Sequence, residues 1–273
     1  PEYLEQGAVV MCDHELLQRQ MKRMRPDLQL ERMEETVQRL KAEASVAELD
    51  EEDIWPWIEK QRLEGHLDGF IVPRAIHAGH RMKGRRHTLG LQRDQTESNR
   101  ERFIPPPLHG FTLLVSRKGF PKNSVRNMLD PSAELAYRLE ASLMESIDPK
   151  LKPIVGAYIE QRKISTLLKK ASEAGDETLL DTLVDPNKKR AAHKSGPRVE
   201  MLIETLTSDG TVTAACERIV QPENSQMGLV TLLREFMDLL AVMTTDHEET
   251  KRNIPGMPAS FMEPRPRLMD LDD

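Results

Sequence analysis

Histidine, cysteine and arginine are the side chains whose spacing in this sequence invites a chemical reading. His77, His80 and His87 stand close together. A zinc ion would need such ligands to converge at about 2.0–2.1 Å, with a fourth donor beside them. The segment is broken by glycine and crowded with arginine, whose charge repels a cation, and no cysteine completes the set. These histidines read as part of a basic surface stretch, and no metal or other cofactor is expected. Cys12 beside His14 has the residue types of a nucleophile and a base, but a terminal segment offers neither burial nor a third group to orient the base. Cys216 is expected to be an ordinary core thiol near Val212 and Ile219. The phosphate-cradling patterns GxxxxGK[ST] and GxGxxG are absent, as are a GxSxG nucleophile elbow and an HExxH zinc helix.

Positive charge is the most informative feature. Arg74 to Arg126 holds twelve Lys/Arg against Asp94, Glu97 and Glu101, a local +9 in a chain of net charge −6. Arg81, Lys83, Arg85 and Arg86 crowd around Gly84, and Arg74, Arg93, Arg100 and Arg102 flank them. Lys188, Lys189 and Arg190 begin a second basic run that reaches Arg198 without an acid, while acid gathers at Glu48 to Asp53 and after Glu235. Blocks of opposite sign attract partners, or each other. The favoured reading is a basic arm docking on an acidic protein surface, the chain's own 48–53 region or a neighbour. The alternative is a strand of RNA or DNA whose phosphates the arginines neutralise. Phe103 is the one aromatic near the segment in the sequence, which gives a base-stacking platform little support. The expected contact residues are Arg74, Arg81, Lys83, Arg85, Arg86, Arg93, Lys188, Lys189 and Arg190.

The elements that must position these residues read as mostly helical. Asp13 is a natural cap for a helix from Glu15 to Met24, which Pro26 ends. A second helix is expected from about Leu28 to Ala44, its apolar stripe Met33, Val37, Leu40 and Ala44 spaced by four, three and four. A third covers Asp53 to Glu64 and carries Trp55 and Trp57. Phe70 to Val72 and Phe111 to Val115 are the strand candidates, together a two-stranded ribbon. Residues 74 to 102 show no apolar period and read as an irregular arm, and Pro105 to Pro107 as a stiff hinge. Asp130-Pro131 starts a helix whose face is Leu135, Leu139, Leu143 and Ile147. Further helices are expected over Pro153 to Ala174, Glu177 to Val184, Arg198 to Leu206, Val212 to Val220 and Ser225 to Met243. The last is apolar around most of its circumference and is placed at the centre of a bundle. From Thr244 onward the chain is polar and proline-rich and reads as an extended tail that adds little to stability.

The stretch Gly210-Thr-Val-Thr-Ala-Ala-Cys-Glu-Arg218 resembles the first helices of phage-type helix-turn-helix domains. That resemblance implies a DNA-reading helix at Ser225 to Met243. Arg234 is the single arginine there and the helix is apolar nearly all round, whereas recognition needs exposed polar and basic side chains. The DNA-reading role is therefore not carried over.

The chain has 273 residues, of which 38% are hydrophobic, 31% charged and 4% aromatic, so a modest core under a solvated surface is expected. Two distant cysteines point to a reducing compartment, cytoplasmic or within an intracellular or viral particle. No apolar run is long enough to span a membrane, and a chain beginning at Pro1 reads as processed or partial. The expected fold class is mainly α. It comprises an N-terminal helical arm over 1–66, a basic irregular segment with a small two-stranded β element over 67–122, a C-terminal helical bundle over 123–243 and the tail 244–273. The expected function is that of a structural or assembly subunit making protein–protein contacts within an oligomer or larger particle. An RNA- or DNA-binding nucleoprotein is second, and an enzyme of unidentified class third.

Overall fold

A computed structural model describes residues 3–90, 102–177, 180, 183, 196–246 and 267–271. The chain is α/β, built around two three-stranded sheets, and not mainly α with one two-stranded element. The N-terminal part supplies a parallel sheet of order β2-β1-β3, from β1 (Val9–Met11), β2 (Gln29–Glu31) and β3 (Gly69–Phe70). Helix α1 (Glu15–Met24) crosses from β1 to β2. Helices α2 (Met33–Leu40), α3 (Glu43–Ala47) and α4 (Glu51–Leu63) lead on to β3. After α5 (Arg74–Gly79) and a long surface stretch come α6 (Pro131–Ser146), β4 (Val155–Arg162), α7 (Ile164–Ala174), β5 (Arg198–Leu206), β6 (Thr213–Val220) and α8 (Ser225–Thr244). Strands β4, β5 and β6 form an antiparallel sheet in that order.

Alternating side chains fix the layers. On β1, Val10 packs with Ala8, Met21, Leu28 and Phe103, while Met11 packs with Ile58 and Leu67. Successive side chains of a strand point to opposite faces. Helix α1 therefore covers one face of the parallel sheet and α4 the other. The same alternation on β5 turns Val199, Met201 and Ile203 toward α6 and α8, where Leu139, Leu143, Leu229, Leu232 and Phe236 complete the main core. Helix α1 also reaches the opposite face of the antiparallel sheet. Gln20 donates to the carbonyl of Ile104 at 3.0 Å, and Arg19 to that of Leu206 at 2.6 Å. The order through the molecule is α4, parallel sheet, α1 with residues 102–107, antiparallel sheet, then α6 and α8.

Two expected helices are strands, and a third is strand in its first half. In β5, Val199, Leu202, Ile203 and Leu206 recur at the spacing of a helix face, and in the expected 212–220 helix Val212, Ala215, Cys216 and Ile219 do the same. Both faces of β5 are buried, so the polar–apolar alternation that marks a half-exposed strand is missing. The expected Pro153–Ala174 helix is likewise split: β4 comes first, and α7 begins only at Ile164 and ends on Gly175 at φ +64°. At the start of the expected Leu28–Ala44 helix, residues 29–31 pair with β1 and the helix begins at Met33. Phe111 to Val115 belongs to neither sheet, and the partner of Gly69–Phe70 is β1.

Two local expectations are met. Helix α1 has the expected bounds, and Asp130 accepts from the backbone N–H of Ser132 and Ala133. Asp13 does not cap α1; its carboxylate accepts from the N–H of Met33 at 2.6 Å, at the start of α2. Helix α8 is not a bundle centre. It lies on the sheet by one face, and Met227, Val230, Met237 and Val242 are exposed on the other. The tail returns to the fold: Met269 is buried in the main core, and its N–H and that of Leu268 donate to the carbonyl of Met243.

Candidate functional site

The basic segment is held in place by α4. The Glu59 carboxylate is buried, forms a two-pronged ion pair with Arg62 at 2.9 and 3.0 Å, and accepts from the backbone N–H of Lys83 and Gly84. The Arg62 guanidinium and these N–H groups hold the Glu59 carboxyl below the usual carboxylate range. At Gly84 a side chain would press on that guanidinium, with the nearest atom 3.3 Å away. Arg74 to Gly79 is helical, not irregular, and Arg81 takes a left-handed conformation at φ 50°. Arg74, Arg81, Lys83, Arg85 and Arg86 are all exposed. Arg93, Lys188, Lys189 and Arg190 lie outside the described residues, as does most of the expected Glu177–Val184 helix. Glu59, and not the acidic 48–53 region, is the anchor of the turn. Sequence proximity also missed Tyr3, which lies against Arg85 and His87 in space.

A second surface follows the basic one. Residues 102–107 run along β4: the N–H of Ala157 donates to the carbonyl of Pro105 at 3.0 Å, and Ile104 is fully buried over Gly156. Where this segment leaves the strand, the buried carboxyl of Glu140 on α6 takes over. It accepts from the N–H of Leu108 at 2.6 Å and from that of Ile159. From there to Asp130 the chain lies on the surface. Phe111 packs edge-on against Tyr137 of α6 at 5.5 Å. Beyond it Leu113, Leu114 and Val115 are 59%, 45% and 90% exposed, and Met128 is 73% exposed.

Burial raises the Glu140 carboxyl to about 7, against the lowering effect of its two backbone donors. A raised carboxyl favours the folded state only while protonated. Its contribution is complete below the ordinary carboxylate value and is lost as pH rises through about 7. His14, lowered by burial and by His109, acts in the opposite sense at mildly acidic pH. Urea denaturation at pH 5 and pH 8 of the wild type and of Glu140→Gln separates the two. The wild type should lose up to about 3 kcal/mol more than the variant on going to pH 8, and equal losses would show that Glu140 is not buried as described.

Two further polar clusters lie away from these surfaces. On the sheet face toward α1, Arg162 pairs with Glu200 at 2.5 Å and with Glu160 at 2.9 Å, and donates to the Tyr158 hydroxyl at 2.9 Å. One guanidinium thus spans both carboxylates. Near the N-terminus the Cys12 thiol donates to the carbonyl of His14, and burial pushes it up to about 12. Cys12 is therefore a thiol and not a nucleophilic thiolate at neutral pH. Among the described residues no group of three or more His, Cys, Asp or Glu is placed to hold a metal ion, and no helix is long and apolar enough to cross a membrane. The sequence matches no protein-family model and no curated protein.

Proposed function

We propose that the chain is a structural or assembly subunit that joins other protein subunits through the apolar surface following Leu108. The observation that carries this reading is the consecutive exposure of Leu113, Leu114 and Val115. Single exposed apolar residues are ordinary, but a contiguous apolar run on a surface marks a contact site. The run is β-prone and lies outside both sheets, so its backbone is available to a partner strand. Met227, Val230, Met237 and Val242 give α8 further exposed apolar surface, and side chains of methionine adapt to varied partners.

The double variant Leu114→Asp/Val115→Asp tests the reading. Both residues are exposed, so thermal stability should change by no more than about 1 kcal/mol. Association measured by size-exclusion chromatography with light scattering should be lost. A variant that associates as the wild type does would rule this surface out as the site of assembly.

A further inference from the structure

A cluster of flat, exposed side chains forms where the start of the described chain returns to the basic turn. The Tyr3 ring stacks on the His87 imidazole, with centroids 5.4 Å apart and planes inclined by 26°. The guanidinium carbon of Arg85 lies 4.5 Å from the Tyr3 ring centroid. Tyr3 is 68% exposed, and Arg85, Arg86 and His87 are exposed with it.

Both pieces of chain that carry the cluster are anchored. Leu4, next to Tyr3, and Leu89, two residues after His87, pack against the same apolar cluster of Ala8, Val10, Met21, Leu28 and Phe103. The Arg25 guanidinium donates to the carbonyls of Leu4 and Glu5. On the other side, Glu59 fixes the backbone at Lys83 and Gly84. The stack is thus presented by a supported surface.

The charge around it has one sign. From Arg74 to Gly90 the chain holds five Lys/Arg and no Asp or Glu. Among the described residues none of the five is in an ion pair. An acidic protein surface would use these cations but has no need of the stacked rings. A single-stranded nucleic acid uses both: its phosphates take the cations, and its unpaired bases extend an aromatic or guanidinium stack. A duplex keeps its base faces covered by neighbouring pairs and gains only the charge term.

We infer that Tyr3, His87 and Arg85 form a binding site for single-stranded nucleic acid, with a base stacked on the cluster and adjoining phosphates held by Arg85, Arg86 and Lys83. This site is independent of the apolar surface after Leu108.

Fluorescence anisotropy with the full chain tests it, using labelled oligo(U) and oligo(dT) of about 12 nucleotides and a duplex of equal length. Binding of both single strands should exceed that of the duplex. It should weaken with salt, with a slope of log K on log salt of about −0.7 per phosphate neutralised. Tyr3→Ala should weaken single-strand binding by about 5- to 150-fold at unchanged slope, and Tyr3→Phe should retain it. Arg85→Ala/Arg86→Ala should make the slope shallower by about 0.7 for each phosphate no longer neutralised. An unchanged circular dichroism spectrum checks that the variants fold. The inference is overturned if neither single strand binds at about 50 mM salt, if Tyr3→Ala binds like the wild type, or if the duplex binds as tightly. Tighter binding of polyglutamate than of either oligonucleotide would also overturn it, and would assign the surface to an acidic protein.

Discussion

Glu204→Leu is expected to destabilise the fold by about 3–5 kcal/mol, measured by urea or guanidinium denaturation. Glu204 lies on β5 and is fully buried. Its carboxylate pairs with Arg23 of α1 at 3.0 Å and with Arg102 at 2.8 Å, and Gln20 donates to it at 3.4 Å. Arg23 also donates to the carbonyl of Arg102. One acid thus joins α1, the 102–107 segment and the antiparallel sheet. The side chain of Arg23 is nearly as buried as the carboxylate, so removing the acid strands a positive charge in the interior. The cost comes from that orphaned charge more than from the pair itself. Adding Arg23→Met should therefore recover a large part of the loss, because an apolar pair of similar volume replaces an ionic one. A Glu204→Leu protein within about 1 kcal/mol of the wild type would mean that water reaches this site.

Gly210→Ala should lower stability by about 2–5 kcal/mol, the sum of a strained left-handed backbone and an overpacked contact. Gly210 sits in the turn between β5 and β6 at φ +72°. A Cβ there would lie 2.5 Å from the Arg23 nitrogen and 2.6 Å from the Arg19 carbonyl oxygen. Those atoms are α1 backbone and cannot swing aside as a flexible side chain can. The turn is otherwise well made: the Asp209 carboxylate accepts from the hydroxyls of Thr207 and Thr211 and from the N–H of Thr211. The loss should therefore fall on the docking of α1 and not on the hairpin. Hydrogen exchange should show early opening of residues 15–24, with β5 and β6 protected. Uniform acceleration across both regions would contradict that division.

Local signals are enough wherever one element decides its own structure. Glu15, Lys22 and Arg23 complement the dipole of α1, Pro26 ends it, and Asp130-Pro131 starts α6. The antiparallel sheet is not legible in the sequence, because its central strand is covered on both faces. Glu200 and Glu204, four apart between apolar residues, look like the solvent side of a helix. They are buried acids whose arginine partners, Arg162, Arg23 and Arg102, come from elsewhere in the chain. For β1 and β2, three residues are too few to show a period at all. The basic turn is visible as composition, and its arginines are exposed. The place of Tyr3 is not visible in this way, because some eighty residues separate it from Arg85 and only the packing of Leu4 and Leu89 on one cluster brings them together.

The assembly reading is tested most directly by the native mass of the purified chain without nucleic acid. Sedimentation velocity over a range of concentrations measures it against the monomer mass of 31.2 kDa. The expected result is species heavier than the monomer whose share grows with concentration, and a return to 31.2 kDa in Leu114→Asp/Val115→Asp. A wild-type chain that stays monomeric at every concentration, with Leu113, Leu114 and Val115 intact, would contradict it.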